Sequence, residues 1–289
     1  MSDCHSSSAV DQAIRIALAE DIGPGDVTCE FFVDPAQTGH ARILAKETGV
    51  AAGVRLAAEV FRRVDSSLRV EVLKPCGSRV TPGDVVLEVE GAVRSILTAE
   101  RVALNFLQQL SGVATLTRRF VDAVEAVPGA HAKILDTRKT TPGLRALEKA
   151  AVKAGGGTNH RFGLYDMVMV KDNHLAARDD LNFLRAAIAR LQAERPGVRV
   201  ELEADTVEQV RGFLTLDGVA VILLDNMTPE AMRECVALAA GRVQLEASGG
   251  VNLQTVAAIA ATGVDFISVG ALTHSAPAVD FSLDLQRES

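Results

Sequence analysis

From about Lys133 onward one unit recurs six times: a short apolar run, a polar residue or glycine at its end, then a stretch of helical pattern. The runs are Ile134-Leu135 before Asp136-Thr137-Arg138, Val168-Met169-Val170 before Lys171-Asp172-Asn173, and Val200 to Leu202 before Glu203. They continue as Val221 to Leu224 before Asp225-Asn226, Val243 to Ala247 before Ser248-Gly249-Gly250, and Phe266 to Val269 before Gly270. Strands that alternate with helices build a parallel sheet, because parallel neighbours need a crossover too long for a hairpin. Six units in series, joined by stretches such as DDLNFLRAAIARLQAE and PEAMRECVALAA, predict an incomplete parallel α/β barrel (TIM-like). An open doubly wound sheet is the main competitor, but no GxGxxG follows the first strand. In a barrel the active site lies at the carboxyl ends of the strands, where the six polar ends converge.

The first third has another pattern. HARILAKE, LRVEVLKP and DVVLEVEG alternate polar and apolar residues, as strands with one wet face do, and CGSRVTPGD breaks between two of them. An amphipathic helix capped at Thr98 is expected through ERVALNFLQQL. This part reads as an α+β layer packed against something larger.

At 289 residues and 48% hydrophobic, the chain can bury at least one full core. A net charge of -7 and the absence of Trp argue against a nucleic-acid surface. No apolar stretch approaches the length needed to span a bilayer, and MSDCHSSSAVD lacks a cationic start before an apolar segment, so the cytosol is the expected compartment. Cys4, Cys29, Cys76 and Cys235 show no metal or redox spacing and read as free thiols.

Within this acidic chain the segment from Asp136 to His174 holds seven Lys/Arg against four Asp/Glu. Arg138, Lys139, His160, Arg161 and Lys171 supply donors for carboxylates, so the expected ligand is small and polyanionic. Arg145, Lys149 and Lys153 follow helical spacing and read as an ordinary solvated face. Glu203 and Asp225 end successive strands and can set two acids beside one another, suited to a magnesium-bound pyrophosphate or a developing positive charge on a sugar carbon. Asp225 alone reads equally as a helix N-cap. In VELEAD, Glu201, Glu203 and Asp205 share one face by the period of two; Glu203 is favoured over Glu201 because it is nearer the strand's carboxyl end, and Asp205 is assigned to cap the next helix. Ser248-Gly249-Gly250, leading into NLQTVAAIAA, and the loop at Gly270 offer a phosphate cradle, although a plain tight turn explains a single SGG equally well. Lys171 at a strand end also keeps open a Schiff-base lyase.

DTRKTTPGLR, EKAAVKAGGGTNHRFGL and VMVKDNH, then LLDNM, EASGGV and FISVGALTHS, closely resemble the quinolinate phosphoribosyltransferases, also called nicotinate-nucleotide pyrophosphorylases (carboxylating). The likeness extends through AEDIGPGDVT, GVAAGV and AERVALNFLQQLSGVAT, and so over nearly the whole chain. The resemblance implies an amino-terminal α/β sandwich domain over residues 1–115, rejoined by residues 275–289, and a catalytic barrel over residues 116–274. It implies that quinolinate and phosphoribosyl pyrophosphate, with Mg2+, give nicotinate mononucleotide, pyrophosphate and CO2. By motif position Arg138, His160, Arg161 and Lys171 would bind the quinolinate carboxylates, and Lys139 the pyrophosphate or both substrates. Glu203 and Asp225 would serve the ribose and the metal, and Ser248, Gly249, Gly250 and Gly270 the 5-phosphate. Arg101 matches an arginine that family members insert into the neighbouring subunit's site, which implies a homodimer or larger oligomer. Ala150 departs from the family pattern, where a tyrosine is common. A related phosphoribosyltransferase acting on another base would share most of these motifs. A non-catalytic carrier, suggested by GSRVTPGDVVLEVEG, lacks the exposed lysine turn that such domains present.

Overall fold

The computed structural model describes residues 7–171 and 181–287; Cys4 and the expected strand-end residues Asp172 and Asn173, with His174, lie outside them. Contacts divide the chain into two units. The first takes residues up to Arg118, Thr140–Gly156 and those from Leu272 onward; the second takes Arg119–Lys139 and Gly157–Ala271.

In the first unit, helices α1 (Ser7–Ile22) and α2 (Val27–Phe32) precede β1 (Thr38–Ala45), and a short pair, β2 (Gly49–Val50) with β4 (Arg79–Val80), flanks α3 (Val54–Val64). β3 (Arg69–Val72), β5 (Val85–Ala92) and the last strand of the chain, β12 (Phe281–Arg287), join β1 in an antiparallel sheet ordered β12-β1-β5-β3. The alternation read in HARILAKE is physical: Ala41, Ile43 and Ala45 are buried, while Arg42 on the other face pairs with Glu88 of β5 at 3.0 Å. Helix α3 covers the sheet with Leu56, Val60 and Phe61.

Helix α4 (Val93–Glu125) is much longer than the stretch expected after Thr98. Thr98 is not a cap; its hydroxyl donates to Asp26 at 2.9 Å. The apolar stripe begins a turn earlier, with Val93 and Ile96 buried, and no proline interrupts it. Gly112 sits inside this helix because the returning chain presses on it: a Cβ there would lie 2.2 Å from the Pro277 carbonyl oxygen. Alanine in a helix interior is favoured over glycine by about 1 kcal/mol, while overpacking against backbone costs about 1–3 kcal/mol, so Gly112→Ala should lower the melting temperature. An unchanged or raised melting temperature would show that the contact yields freely.

Helix α5 (Arg145–Ala154) belongs to the first unit, although residues 140–156 were expected within the barrel portion. It packs so closely that a Cβ on Gly155 would lie 2.3 Å from the Ala114 carbonyl oxygen. The solvated basic face expected on this helix is corrected at Lys149, which is 2% exposed; charge spacing alone does not reveal which side of a helix faces a neighbour.

Among the described residues the second unit holds six parallel strands: β6 (Lys133–Leu135), β7 (Val168–Val170), β8 (Val200–Ala204), β9 (Val221–Asp225), β10 (Gln244–Ser248) and β11 (Phe266–Ser268). Helices α6 (Leu181–Glu194), α7 (Val207–Phe213), α8 (Pro229–Ala239) and α9 (Val256–Ala260) connect them from β7 to β11, and α10 (Ala271–His274) follows β11. The order β6-β11-β10-β9-β8-β7 pairs the first strand with the last and leaves β6 and β7, neighbours in sequence, as the two edges. This is the circuit of a barrel with one seam open. Every residue of β8 is buried, as a parallel strand between helices and barrel interior requires. The seam is partly closed on the β6 side, where the Thr158 N–H donates to the Ile134 carbonyl and the Asp136 N–H to the Thr158 carbonyl, at 2.8 and 3.2 Å. Among the described residues no helix is long and apolar enough to cross a membrane.

Candidate active site

The side chains that converge at the carboxyl ends of the strands do so because inward residues repeat every second position. A cavity of about 480 Å3 there is lined by Arg138, Lys139, His160, Arg161, Lys171, Glu203, Asp225, Ser248, Gly249 and Gly250. Of the residues singled out in the sequence, Gly270 does not line it; Ser268, two positions earlier, does. Arg101 is exposed on α4 in the first unit.

The segment covering the β6 edge fixes two of the cations. Asp136, fully buried, accepts the backbone N–H of His160 at 2.9 Å and so sets the height at which His160 and Arg161 enter the barrel. The Arg161 guanidinium donates to the Met167 carbonyl at 3.2 Å and approaches the Met169 sulfur at 3.5 Å. Burial, and then the like charge of Arg138, hold its pKa below the usual arginine range. Two arginines side by side in a partly buried pocket are relieved by an anion.

The acids take different depths. Glu203, 8% exposed, reaches the rim and pairs with the Lys171 ammonium at 2.6 Å. Glu201, two residues back, is fully buried and faces His160, with Oε2 3.2 Å from Nε2. The choice of Glu203 over Glu201 for the mouth is thus the one the strand's depth supports. Asp225 is not a helix cap, since Thr228 caps α8 by accepting the Ala231 N–H. Its carboxylate instead accepts from the Asn226 side chain at 2.7 Å. Nor does Asp205 cap α7: Thr206 does, in a capping box with Gln209, because the hydroxyl one residue on has the required reach.

The glycine loop also differs from expectation. Helix α9 begins only at Val256 and is five residues long, so no helix terminus directly follows Ser248-Gly249-Gly250. The intervening residues instead form turns, in which Asn252 accepts the Gln254 and Thr255 N–H groups. Gly249 is required in its own right, with φ +87° and room for a Cβ only 2.1 Å from the Asn226 side-chain oxygen. Asn226 is itself left-handed at φ 52°. A loop held this way exposes backbone at Gly250, where nothing stands within 4 Å of a Cβ position.

Residues that the sequence reading passed over include Met169, Leu223, Glu246 and Ser268, which also line the cavity. Each lies two positions before a residue or strand end that was singled out, so stepping back along the inward face would have found them. Glu246 is the consequential one: its carboxylate lies 3.3 Å from the same His160 Nε2. Burial opposes charge on His160, but the Glu201 and Glu246 carboxylates facing Nε2 outweigh it and push the imidazole pKa up to about 9. The Arg161 N–H donates to Nδ1 at 2.7 Å, a contact of the singly protonated ring, while the second proton is what the two acids favour. Nε2 carries a proton in both states. The His160–Glu201–Glu246 cluster therefore has the spacing of a metal site without a free lone pair at its nitrogen.

An α/β barrel with a mouth of mixed charge at its strand ends, cations on one side and acids with a glycine loop on the other, has the build of a barrel enzyme for small anionic substrates. The family description "Quinolinate phosphoribosyl transferase, C-terminal domain" matches residues 113–284, and its N-terminal counterpart matches residues 26–111. A probable nicotinate-nucleotide pyrophosphorylase (carboxylating) of Bacillus subtilis is 43% identical over 92% of this chain and 90% of its own. The chloroplastic enzyme of that name from Arabidopsis thaliana is 42% identical over 98% and 85%. Among solved structures, NadC of Streptococcus pyogenes superposes with a TM-score of 0.92 at 39% identity, covering 100% of both chains. This chain belongs to the quinolinate phosphoribosyltransferase family.

Proposed function

We infer that this protein transfers the phosphoribosyl group of phosphoribosyl pyrophosphate to quinolinate and decarboxylates the adduct, a step of NAD biosynthesis that yields nicotinate mononucleotide, pyrophosphate and CO2. The observation that carries this reading is the sorting of charge around one cavity, in a chain of this family: Arg138, Arg161, Lys139 and Lys171 stand with Glu203, Asp225 and the Ser248–Gly250 loop. In this proposal Arg138, His160, Arg161 and Lys171 hold the two carboxylates of quinolinate, Lys139 faces the pyrophosphate, and the Ser248–Gly250 loop with Ser268 beside it receives the 5-phosphate, a part the family resemblance had also given to Gly270, which does not line the cavity. Lys171, paired with a carboxylate and 43% exposed, lacks the desolvated setting that makes a lysine a Schiff-base nucleophile, which counts against the lyase.

Glu203 and Asp225 fit a magnesium ion shared with substrate pyrophosphate, since that ion takes one or two carboxylates and leaves its other positions to phosphate oxygens and water. When bound it would neutralise charge on the departing pyrophosphate. The protein's own part is positioning and electrostatics. As the bond from the sugar carbon to pyrophosphate breaks, the carboxylates of Glu203 and Asp225 offset positive charge on the ribose. The pyridine nitrogen then supplies the electron pair for the new bond and becomes cationic. The cationic ring can hold the electron pair left when the adjacent carboxylate departs as CO2, and a proton takes its place. Arg138 and Arg161 orient the diacid without joining in bond changes. A homodimer that brings Arg101 to the neighbouring subunit's site, and a cytosolic setting, complete the proposal; the sequence match at Arg101 supports the first.

Incubation with carboxyl-labelled quinolinate, phosphoribosyl pyrophosphate and Mg2+ should release labelled CO2 together with nicotinate mononucleotide, and nicotinate in place of quinolinate should release none. Turnover of nicotinate alone, or of a different base, would replace this reading by that of a related transferase.

A further inference from the structure

Two buried acids take no direct part in the chemistry assigned above. Glu201 on β8 and Glu246 on β10 point into the barrel one inward step below Glu203 and Ser248. A barrel of this kind fills its interior with branched apolar side chains, yet this layer carries two carboxylates and one imidazole. Both acids meet at His160 Nε2, at 3.2 and 3.3 Å, and among the described residues neither oxygen of Glu201 has a hydrogen-bond partner, so the ion-pair contact with His160 is what balances its buried charge. Behind them a second cavity of about 280 Å3 opens at the amino ends of the strands, among Lys133, Arg199, Gln244 and Phe266. His160 and Glu246 line both cavities and so form part of the partition between them.

We propose that Glu201 and Glu246 are positioning residues for the diacid: they grip the His160 ring from below the pocket floor and keep it oriented and charged as a donor to the substrate's carboxylate. The identity of the diacid rests on the function proposed above. The backbone N–H of His160 is tied to Asp136 and its Nε2 edge lies against both acids, so the edge left for the substrate is Nδ1, which here accepts the Arg161 N–H at 2.7 Å and donates only after it takes up a proton and releases that contact. The charged groups around it are Asp136 from the end of β6, Arg161 beside it, Glu201 and Glu246. Arg138, Lys139, Lys171 and Glu203 share its pocket. Without the acids, burial alone would leave the imidazole neutral, and a neutral ring whose Nδ1 accepts the Arg161 N–H offers a carboxylate no donor.

The test is quinolinate affinity by calorimetry between about pH 6 and about pH 10, for the wild type, Glu246→Gln, Glu201→Gln and His160→Gln, beside the ring-nitrogen NMR titration of His160 in the unliganded protein. Wild-type affinity should hold until pH approaches 9 and then fall. In each Glu→Gln variant that fall should come earlier by about one pH unit or more, and in His160→Gln it should vanish. Superimposable wild-type and Glu→Gln profiles, or a fall that survives His160→Gln, would overturn the proposal. Should Glu201→Gln fail to fold, Glu246→Asp, which keeps the charge and withdraws it by one methylene, should give a smaller displacement than Glu246→Gln; an equal or larger one counts against the proposal. The NMR titration needs no substrate. A protein that binds no quinolinate would overturn the reaction assigned to it, whereas a His160 titration unmoved by either substitution would overturn the role of the acids.

Discussion

Glu203→Gln is expected to lower turnover by about 10²–10³-fold, the usual loss when one preorganised group facing developing charge is removed. Glutamine keeps the shape of the side chain and removes only its charge, so what is lost is stabilisation of positive charge on the ribose. Quinolinate affinity should hardly change, because in this reading Glu203 faces the ribose and the diacid is held by Arg138, His160, Arg161 and Lys171, none of which is altered. The fold should tolerate the change as well: Lys171 is 43% exposed, and pairs with one solvated member contribute about 0–1 kcal/mol. Turnover, quinolinate binding and melting temperature measured on one preparation decide the matter. Unchanged turnover would remove Glu203 from the chemistry, and a parallel loss of binding and turnover would assign it to the ground state instead.

The second large effect is expected at Arg161→Ala, which should weaken quinolinate binding by roughly 2–5 kcal/mol, as truncating one side of a desolvated charge pair does. Its hydrogen-bond partners, a carbonyl and a thioether, carry no charge, and the attraction of Glu201 and Asp166 does not outweigh burial and the repulsion of Arg138. A dianion that pairs with both arginines relieves their repulsion as well as forming its own hydrogen bonds. Arg161→Lys separates the two contributions, since it keeps the charge and loses the planar fork. Affinity for quinolinate unaltered in Arg161→Ala would take this residue out of the pocket.

The parallel strands were legible because each is a short apolar run cut off by charge or glycine, a pattern set by burial on both faces. Their ends were legible for the same reason, so Arg138, Lys171, Glu203, Asp225 and Ser248 could be named before their positions in space. Depth was legible only as the preference for Glu203 as the acid nearer the strand's carboxyl end, not as the contact Glu201 makes. Glu201 and Glu203 share a face by the period of two, and only the level of β8 in the barrel makes one a rim acid and the other a partner of His160. Lys149 was assigned to solvent because helical spacing shows which residues share a face but not what the face meets. The cap at Thr98 and the helix after Gly250 failed for a related reason: local signals mark where a helix can start, and packing decides where it does.

By itself the sequence determined the parallel architecture, the alternating first sheet and the identity of the charged strand ends, since these follow from backbone geometry and from the cost of burying charge. The tertiary structure alone decided that β6 pairs with β11 and leaves a seam beside β7, that the 157–161 segment lies along β6 and carries His160 inward, and that Glu246 meets Glu201 across the barrel. Such meetings join residues more than twenty positions apart. No local preference encodes them; they exist only once the curved circuit of strands, open at one seam, has brought separate inward faces to a common axis.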